Sequence, residues 1–507
     1  MTDQPVGTFC LVLHTHLPWL VGHGSWPVGE EWLHQAWSGS YAPLFDLLER
    51  LAERGRGDLV TLGVTPILAA QLDDPRCLQA QHTWLSDWYW RAVGLSRNRD
   101  QNKRALGDWE AERASEALAR FERDWSHGGS PVLRRLIDSG TVELLTGPAT
   151  HPFLPLVRPE VASFALSTGL DDATIRFGSR PGGMWAPECG YRPGLADLYS
   201  DMGITHFVMD GPSLRHVGAG TELAHPIADT GVIAFGRDLD VTYRVWSPRR
   251  GYPGGRWYRD FHTFDHQWGF RHSRVTSTRT APDDKAPYSP SRAAAAVEAD
   301  AIDFVRTVRN RLRVIRDANG GRAGLTVAAY DTELFGHWWA EGPQWLERVL
   351  ELLPEAGVRV TTLRGALSHG LIGEPIDPES GSWGADKDWH IWDGEMVHSM
   401  VADNNTAQGR ALDLLKRLDA SPGRTGAADQ LIRDLLLALG SDWAFMSSHG
   451  SASQYARDRH AGHHADFAAL ADLVDDVGWD DPATKVLSDR QRVADGPFGH
   501  LNAQLLA

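Results

Sequence analysis

The chain has 507 residues, with 50 Lys and Arg against 66 Asp and Glu, a formal net charge of −16, 42% hydrophobic and 23% charged residues. That length suits about two to four domains, or one large barrel with additions, and the composition is that of a soluble globular protein. The acidic balance argues against broad electrostatic binding of nucleic acid or an anionic membrane, though not against a local basic site. No stretch reaches the roughly 18 consecutive apolar residues that span a bilayer. The N-terminal MTDQPVGTFCLVLHTHLPWL has no basic leader region. Cys10, Cys77 and Cys189 form neither a disulfide nor a zinc framework, so a cytoplasmic location is expected. The 21 Trp outnumber the 16 Phe and the 10 Tyr. Most belong in a core, but indole faces also stack on sugar rings.

Along the first 380 or so residues one theme repeats: an apolar run, a polar residue at its end, then a helical stretch. Thr8–Leu13 ends at His14. Leu59–Gly63 leads to Thr65, and Val142–Thr146 to Gly147 and His151. Thr205–Met209 ends at Asp210, Val232–Phe235 at Arg237, and Leu325–Tyr330 at Asp331; Val358–Thr361 follows Gly357. Buried strands alternating with helices predict a parallel α/β sheet or barrel with functional groups at the strand ends. A helical insertion is expected around residues 83–128, and a Gly-, Pro- and aromatic-rich excursion around 247–291. From about 396 to 507 the pattern is helical, which makes a second, C-terminal domain after a catalytic unit spanning 1–395.

Four constellations carry chemistry: His14-Thr-His16-Leu-Pro18-Trp19, Gly147–Pro152 with His151, Gly182–Tyr191 with Trp185 and Glu188, and Tyr330–Trp339 with Asp331, His337 and Trp338. A carboxylate at an apolar strand end is costly unless paired or used. Glu188 and Asp331 can serve as nucleophile and acid/base of a retaining glycosidase, whose carboxyls lie about 5–5.5 Å apart. The competing reading makes them caps or salt-bridge partners. His14 and His16, two apart on a strand, share a face. With His151 and an Asp they can hold zinc, or they can hydrogen-bond sugar hydroxyls. Trp383, Trp389 and Trp392 sit among glycines and acids, which predicts an exposed ligand platform.

Together these motifs resemble glycoside hydrolase family 57: HxHxP at His14–Pro18, the His151 segment, W-x-P-E-x-x-Y at Trp185–Tyr191, D-x-E-x-F-G-H-W-W at Asp331–Trp339 and Asp-Trp at Asp442-Trp443. The resemblance implies a distorted TIM-like (β/α)7 barrel with a C-terminal helical domain, a retaining mechanism on α-glucans, and no cofactor or catalytic metal. Matched by motif, Glu188 is the nucleophile and Asp331 the acid/base, with His14, His16 and His151 contacting substrate. Within the family the length, the Gly251–Gly254 loop, the Trp383/Trp392 pair and the helical C-terminus are most similar to 1,4-α-glucan branching enzymes. That likeness implies further substrate contacts at Trp185, Tyr252, Trp268, His337, Trp338, Trp383, Trp392 and Asp442, with Trp257 the rival of Trp268. The alternatives are an α-amylase or 4-α-glucanotransferase with the same catalytic pair, a metal-dependent carbohydrate deacetylase, and a glucan-binding scaffold without turnover.

Overall fold

Nine segments pair as strands: β1 (Thr8–Thr15), β2 (Val60–Val64), β3 (Val142–Thr146), β4 (Gly183–Trp185), β5 (His206–Asp210), β6 (His225–Pro226), β7 (Ile233–Arg237), β8 (Leu325–Asp331) and β9 (Arg359–Val360). They belong to a computed structural model that describes residues 4–26, 28–247, 251–277, 279–384, 386–418, 424–450 and 452–506. The order is β6-β7-β5-β4-β3-β2-β1-β8, parallel throughout except for the β6–β7 pair, with β9 beside the start of β1. The Asp238 amide donates to the Val327 carbonyl at 2.8 Å, which joins the end of β7 to β8 and closes seven parallel strands into a barrel. Helices such as Ala42–Glu53, Pro159–Phe177, Pro290–Ala318 and Gly342–Glu355 form the crossovers.

Strand periodicity sorts the core into two layers. On β1, Phe9, Leu11 and Leu13 face outward into the large cluster under the helices, while Cys10 and Val12 face the barrel interior with Leu145, Trp185, Val208, Phe235 and Val327. His14 continues the inner row of Cys10 and Val12 and so arrives above the packed interior. Residues at the C-terminal ends of parallel strands all emerge on this one rim.

Two long helices, Pro75–Leu95 and Gln101–Arg120, fill the inserted segment, each started by an Asp whose side chain accepts a first-turn amide. Among the described residues, the excursion after Trp246 has two three-residue 3-10 turns before the helix Pro290–Ala318 begins. Beyond residue 397 the chain is helical: His398–Leu415, Gly426–Ala438, Ser441–His449, Ser453–Val477 and Pro482–Ala494. Gly426–Ala438 is buried on every side. Its Arg433 is satisfied by the carbonyls of Pro497 and Phe498 and the Gln430 side chain. No helix among the described residues is long and apolar enough to cross a membrane.

Candidate active site

His14 and Asp331 are register partners at the ends of β1 and β8. Parallel pairing therefore fixes their neighbourhood directly. His14 lies flat on Trp185, ring centroids 4.5 Å apart, and Trp185 is the last residue of β4. Two residues on, His16 stacks on His151 at 3.9 Å. Thr65, at the end of β2, meets His16 Nδ1 at 2.9 Å, and Asp442 meets His16 Nε2 at 3.0 Å.

Glu188 is reached through a strained turn. Its backbone has φ 61° and ψ 19°, Cys189 has φ 50°, and His151 has φ 59°. Left-handed φ is uncommon for residues with a Cβ, and here it aims Glu188 and His151 at each other from separate loops. Both carboxylate oxygens of Glu188 are held. The Ser441 hydroxyl donates to Oε1 and the Trp383 indole N–H to Oε2, each at 2.8 Å. Backbone pairing puts these donors in place. The Trp383 amide donates to the Glu188 carbonyl, Tyr191 and Gly381 exchange two bonds, and the Ser441 amide donates to the His151 carbonyl. Since the single Ser441 proton goes to Glu188, His151 Nδ1, 3.0 Å from that hydroxyl, must be the donor. His151 Nε2 is then an acceptor without a protein partner.

Burial dominates the electrostatics. It pushes Glu188 up to about 7, opposed by the Ser441 hydrogen bond and reinforced by the Asp442 charge. It pushes Asp331 up to about 6, opposed by His16 and Arg237. Glu333 rises to about 8 through burial and the adjacent Asp331; it accepts from the Tyr41 hydroxyl and the His16 amide. Burial and the His16 charge drive His14 well below the usual imidazole range. His151 falls likewise, through burial and then His16 and His14. For His16 burial lowers the value, but Asp442, Glu188 and Glu333 outweigh it and raise it. Glu188 stands 3.9 Å from His151 Nδ1, Asp331 is the register partner of His14, and the His14 and His151 rings stack at 5.0 Å, so both carboxyls border one histidine cluster. Both ring nitrogens of His14, His151 Nε2 and the Trp185 indole N–H are buried without partners among the described residues, a set of polar atoms suited to a hydroxyl-rich ligand.

His16, His151 and Asp442 each place one donor atom within 4.8 Å of the others. A shared ion would need the in-plane lone pairs of both imidazoles to converge, yet the rings of His16 and His151 stack with 24° between their planes. The donor set therefore fits a cation poorly.

The other expected substrate contacts lie in the following surroundings. Trp392 is 1% exposed and stacks on Phe153 at 4.8 Å, so it braces the His151 loop and forms no open platform. Only Trp383 of the tryptophan pair bonds Glu188. Tyr252 is buried, its ring 5.9 Å from Trp345 and its hydroxyl donating to Asp303 at 2.7 Å, which makes it a bolt between excursion and barrel. Trp268 packs on Gly94 of the inserted helix Pro75–Leu95, and Trp257 is enclosed by Arg256, Arg274 and Arg292. Both rings serve loop packing. His337 is half-buried with its ring 5.5 Å from Phe261, and Trp338 lies half-buried beside Trp246. Sequence reasoning missed Ser441, although it picked out the adjacent Asp442. It named Arg237 at a strand end and carried Glu333 inside the Asp331–Trp339 motif without assigning a role to either; Arg237 pairs with Asp210 at 2.9 Å and lies 5.3 Å from the Trp383 ring.

Comparison with known proteins agrees with this architecture. Residues 10–369 match the description Glycosyl hydrolase family 57, and residues 404–505 match 1,4-alpha-glucan branching enzyme, C-terminal. A probable 1,4-alpha-glucan branching enzyme of Mycobacterium tuberculosis is 48% identical over 522 residues, covering 99% of this chain and 98% of the relative. The crystal structure of a GH57 branching enzyme from Thermococcus kodakaraensis, in complex with glucose and additives, superposes with a TM-score of 0.92 at 30% identity, covering 99% of this chain and 96% of that one. The alpha-amylase AmyC of Thermotoga maritima follows with a TM-score of 0.87 at 26% identity, covering 99% of each chain. A barrel that closes with seven parallel strands, a rim carrying Glu188, Asp331 and three histidines, and a family match across most of its length place the chain in glycosyl hydrolase family 57.

Proposed function

We infer that the chain acts as a 1,4-α-glucan branching enzyme through a double displacement in which Glu188 is the nucleophile and Asp331 the acid/base. The α-1,4 bond of a donor glucan lies over Glu188, which attacks the anomeric carbon while Asp331 protonates the departing oxygen. Asp331, now a base, takes the proton of an acceptor 6-hydroxyl. That oxygen attacks opposite Glu188, from the face the first leaving group vacated, and displaces it, leaving a retained α-1,6 bond. Water at about 55 M competes for the intermediate, so transfer requires a site that holds the acceptor and excludes solvent.

The observation that carries the assignment is the contrast between the two carboxyls. Raised values of about 7 and about 6 leave roughly one proton for the pair near neutrality. Glu188 has a donor on each oxygen, as an ionised nucleophile requires. Asp331 receives no side-chain donor from the described residues, so we assign the proton to Asp331 although the higher value falls on Glu188. The unpaired nitrogens of His14 and His151 are available to the hydroxyls of the sugar undergoing attack. We divide the chain near residue 395, with the C-terminal helices supplying Ser441 and Asp442 to the rim. Three free, buried cysteines fit a cytoplasmic home.

Linkage analysis of amylose treated with the wild type is expected to give new α-1,6 points; reducing ends alone would favour the amylase reading. In the Asp331→Ala variant, maltosyl fluoride needs no acid for departure, so one maltosyl mass should accumulate on the peptide containing Glu188. Label on another carboxylate would reassign the nucleophile.

A further inference from the structure

Between the inserted helices, the excursion and the segment after Asp331 lies a cavity of about 110 Å³, separate from the Glu188 cluster. Its walls are aromatic: Trp84, Trp88, Phe261, Phe264, Phe270 and Trp338. Four arginines also line it, against two acids. Glu110 is shared by Arg259 at 2.5 Å and Arg113 at 3.6 Å, and accepts from the Trp88 indole. Glu31 accepts from Gln35 and the Trp84 indole. Arg91 and Arg271 are left with uncharged partners. Arg91 donates to the Gly269 carbonyl at 3.2 Å. Arg271 donates to the Phe261 carbonyl at 2.7 Å, stacks on the Phe261 ring and reaches the Gln35 amide oxygen only at 3.5 Å. Burial and the neighbouring Arg259 push Arg271 down to about 10 against the opposing charges of Glu31 and Asp260, so it stays charged near neutrality, with no carboxylate in ion-pair contact among the described residues. In a chain of net charge −16, four arginines against two acids in one aromatic cavity, two of them outside any ion pair among the described residues, are a local reversal of sign. A guanidinium outside an ion pair beside flat apolar walls is the chemistry that recognises a charged, ring-shaped ligand.

We propose that this cavity is a second carbohydrate site, selective for a sugar that carries an anionic group, with the charge between Arg91 and Arg271 and the sugar ring against Trp338. A phosphate and a carboxylate share the required chemistry, each offering a pair of anionic oxygen acceptors to a guanidinium fork. Trp338 belongs to the segment that follows Asp331 and its ring lies 5.6 Å from that of Trp246, which is 42% exposed, so this end of the cavity adjoins the molecular surface. The site uses none of the groups assigned to bond cleavage and stands whether or not the double displacement does.

Isothermal titration of the full chain with glucose 6-phosphate, glucuronate, glucose and inorganic phosphate tests the site. The same series on Glu188→Gln separates it from catalysis. At least one of the two anionic sugars should bind about tenfold or more tighter than glucose or phosphate alone. The preference should persist in Glu188→Gln and fall about tenfold in Arg271→Gln and in Arg91→Gln. Arg271 is partly buried and its replacement can disturb packing; Arg91, half-buried on a helix, gives the independent reading. Equal binding of glucose, equal binding of free phosphate, or a preference untouched in Arg91→Gln overturns the proposal.

Discussion

Glu188 combines a left-handed backbone, a buried carboxyl and two hydrogen-bond donors, and each feature has a measurable consequence. If the reaction needs one proton on the pair, the pH profile of kcat/KM is bell-shaped, with limbs near about 6 and about 7. The Ser441 bond favours the ionised form of Glu188. Ser441→Ala should therefore move the limb near 7, which carries the Glu188 value, to higher pH and lower kcat by about tenfold. A limb near 7 that stays in place would detach Ser441 from the nucleophile. Stability responds as well. A carboxyl raised from its ordinary 4.5 to about 7 in the folded state stabilises the fold fully below about pH 4.5 and loses that contribution as pH rises through 7. Since one pKa unit corresponds to about 1.4 kcal/mol, the wild type gives up about 3 kcal/mol across this window. Glu188→Gln removes that dependence, so its melting temperature relative to wild type should climb between pH 4.5 and 8. A constant difference would mean that burial does not raise the Glu188 carboxyl.

Secondary elements differ in how much of their role shows locally. The ends of β1 and β8 were legible because period-two alternation places His14 and His16 on one face and delivers Asp331 at the end of an apolar run. β4 was not read as a strand, because Gly183–Trp185 is three residues long and no periodicity can develop over that length. The Trp383–Trp392 loop misled for a different reason. Glycines and acids around an indole predict exposure, but Phe153, more than 200 residues earlier, supplies the ring that covers Trp392. The excursion after Trp246 is bolted down by two tyrosines, Tyr252 donating to Asp303 at 2.7 Å and Tyr258 to Asp300 at 2.5 Å, both on the helix Pro290–Ala318. Tyr252→Phe removes one hydrogen bond and should cost about 1 kcal/mol. Tyr252→Ala also leaves a cavity beside Trp339 and Trp345, should cost about 3 kcal/mol or more, and should raise hydrolysis relative to branching as the loop loosens. Counting reducing ends against α-1,6 linkages checks this; an unchanged ratio removes the loop from acceptor control.

At the scale of the molecule, the C-terminal helices are part of the rim. Asp495 accepts from the Trp19 indole and from His23, each at 2.7 Å, and Arg459 donates to the Trp19 carbonyl at 2.7 Å. These bonds clamp the segment immediately after His16, while Asp442 holds His16 itself. Asp495→Ala leaves the Trp19 donor buried without an acceptor and Arg459 beside a lost countercharge, so a stability loss of about 3 kcal/mol is expected by calorimetry, together with lower branching activity. Truncation after residue 395 should abolish activity even where the barrel folds, because Ser441 and Asp442 leave with the helices; an active truncated barrel would contradict this.

Local sequence by itself determined the alternation of strands and helices, the inner and outer faces of β1, and the strand ends at which charged groups emerge, because side-chain periodicity and the cost of burying charge act over a few residues. Only the tertiary structure decided that Ser441 and Trp383 grip Glu188, that Asp442 pairs with His16, and against which partners Trp392, Tyr252 and Trp268 pack. Those contacts join residues up to 426 positions apart in the chain. Such partners are chosen by the closure of the barrel and the docking of its loops, to which local patterning is blind.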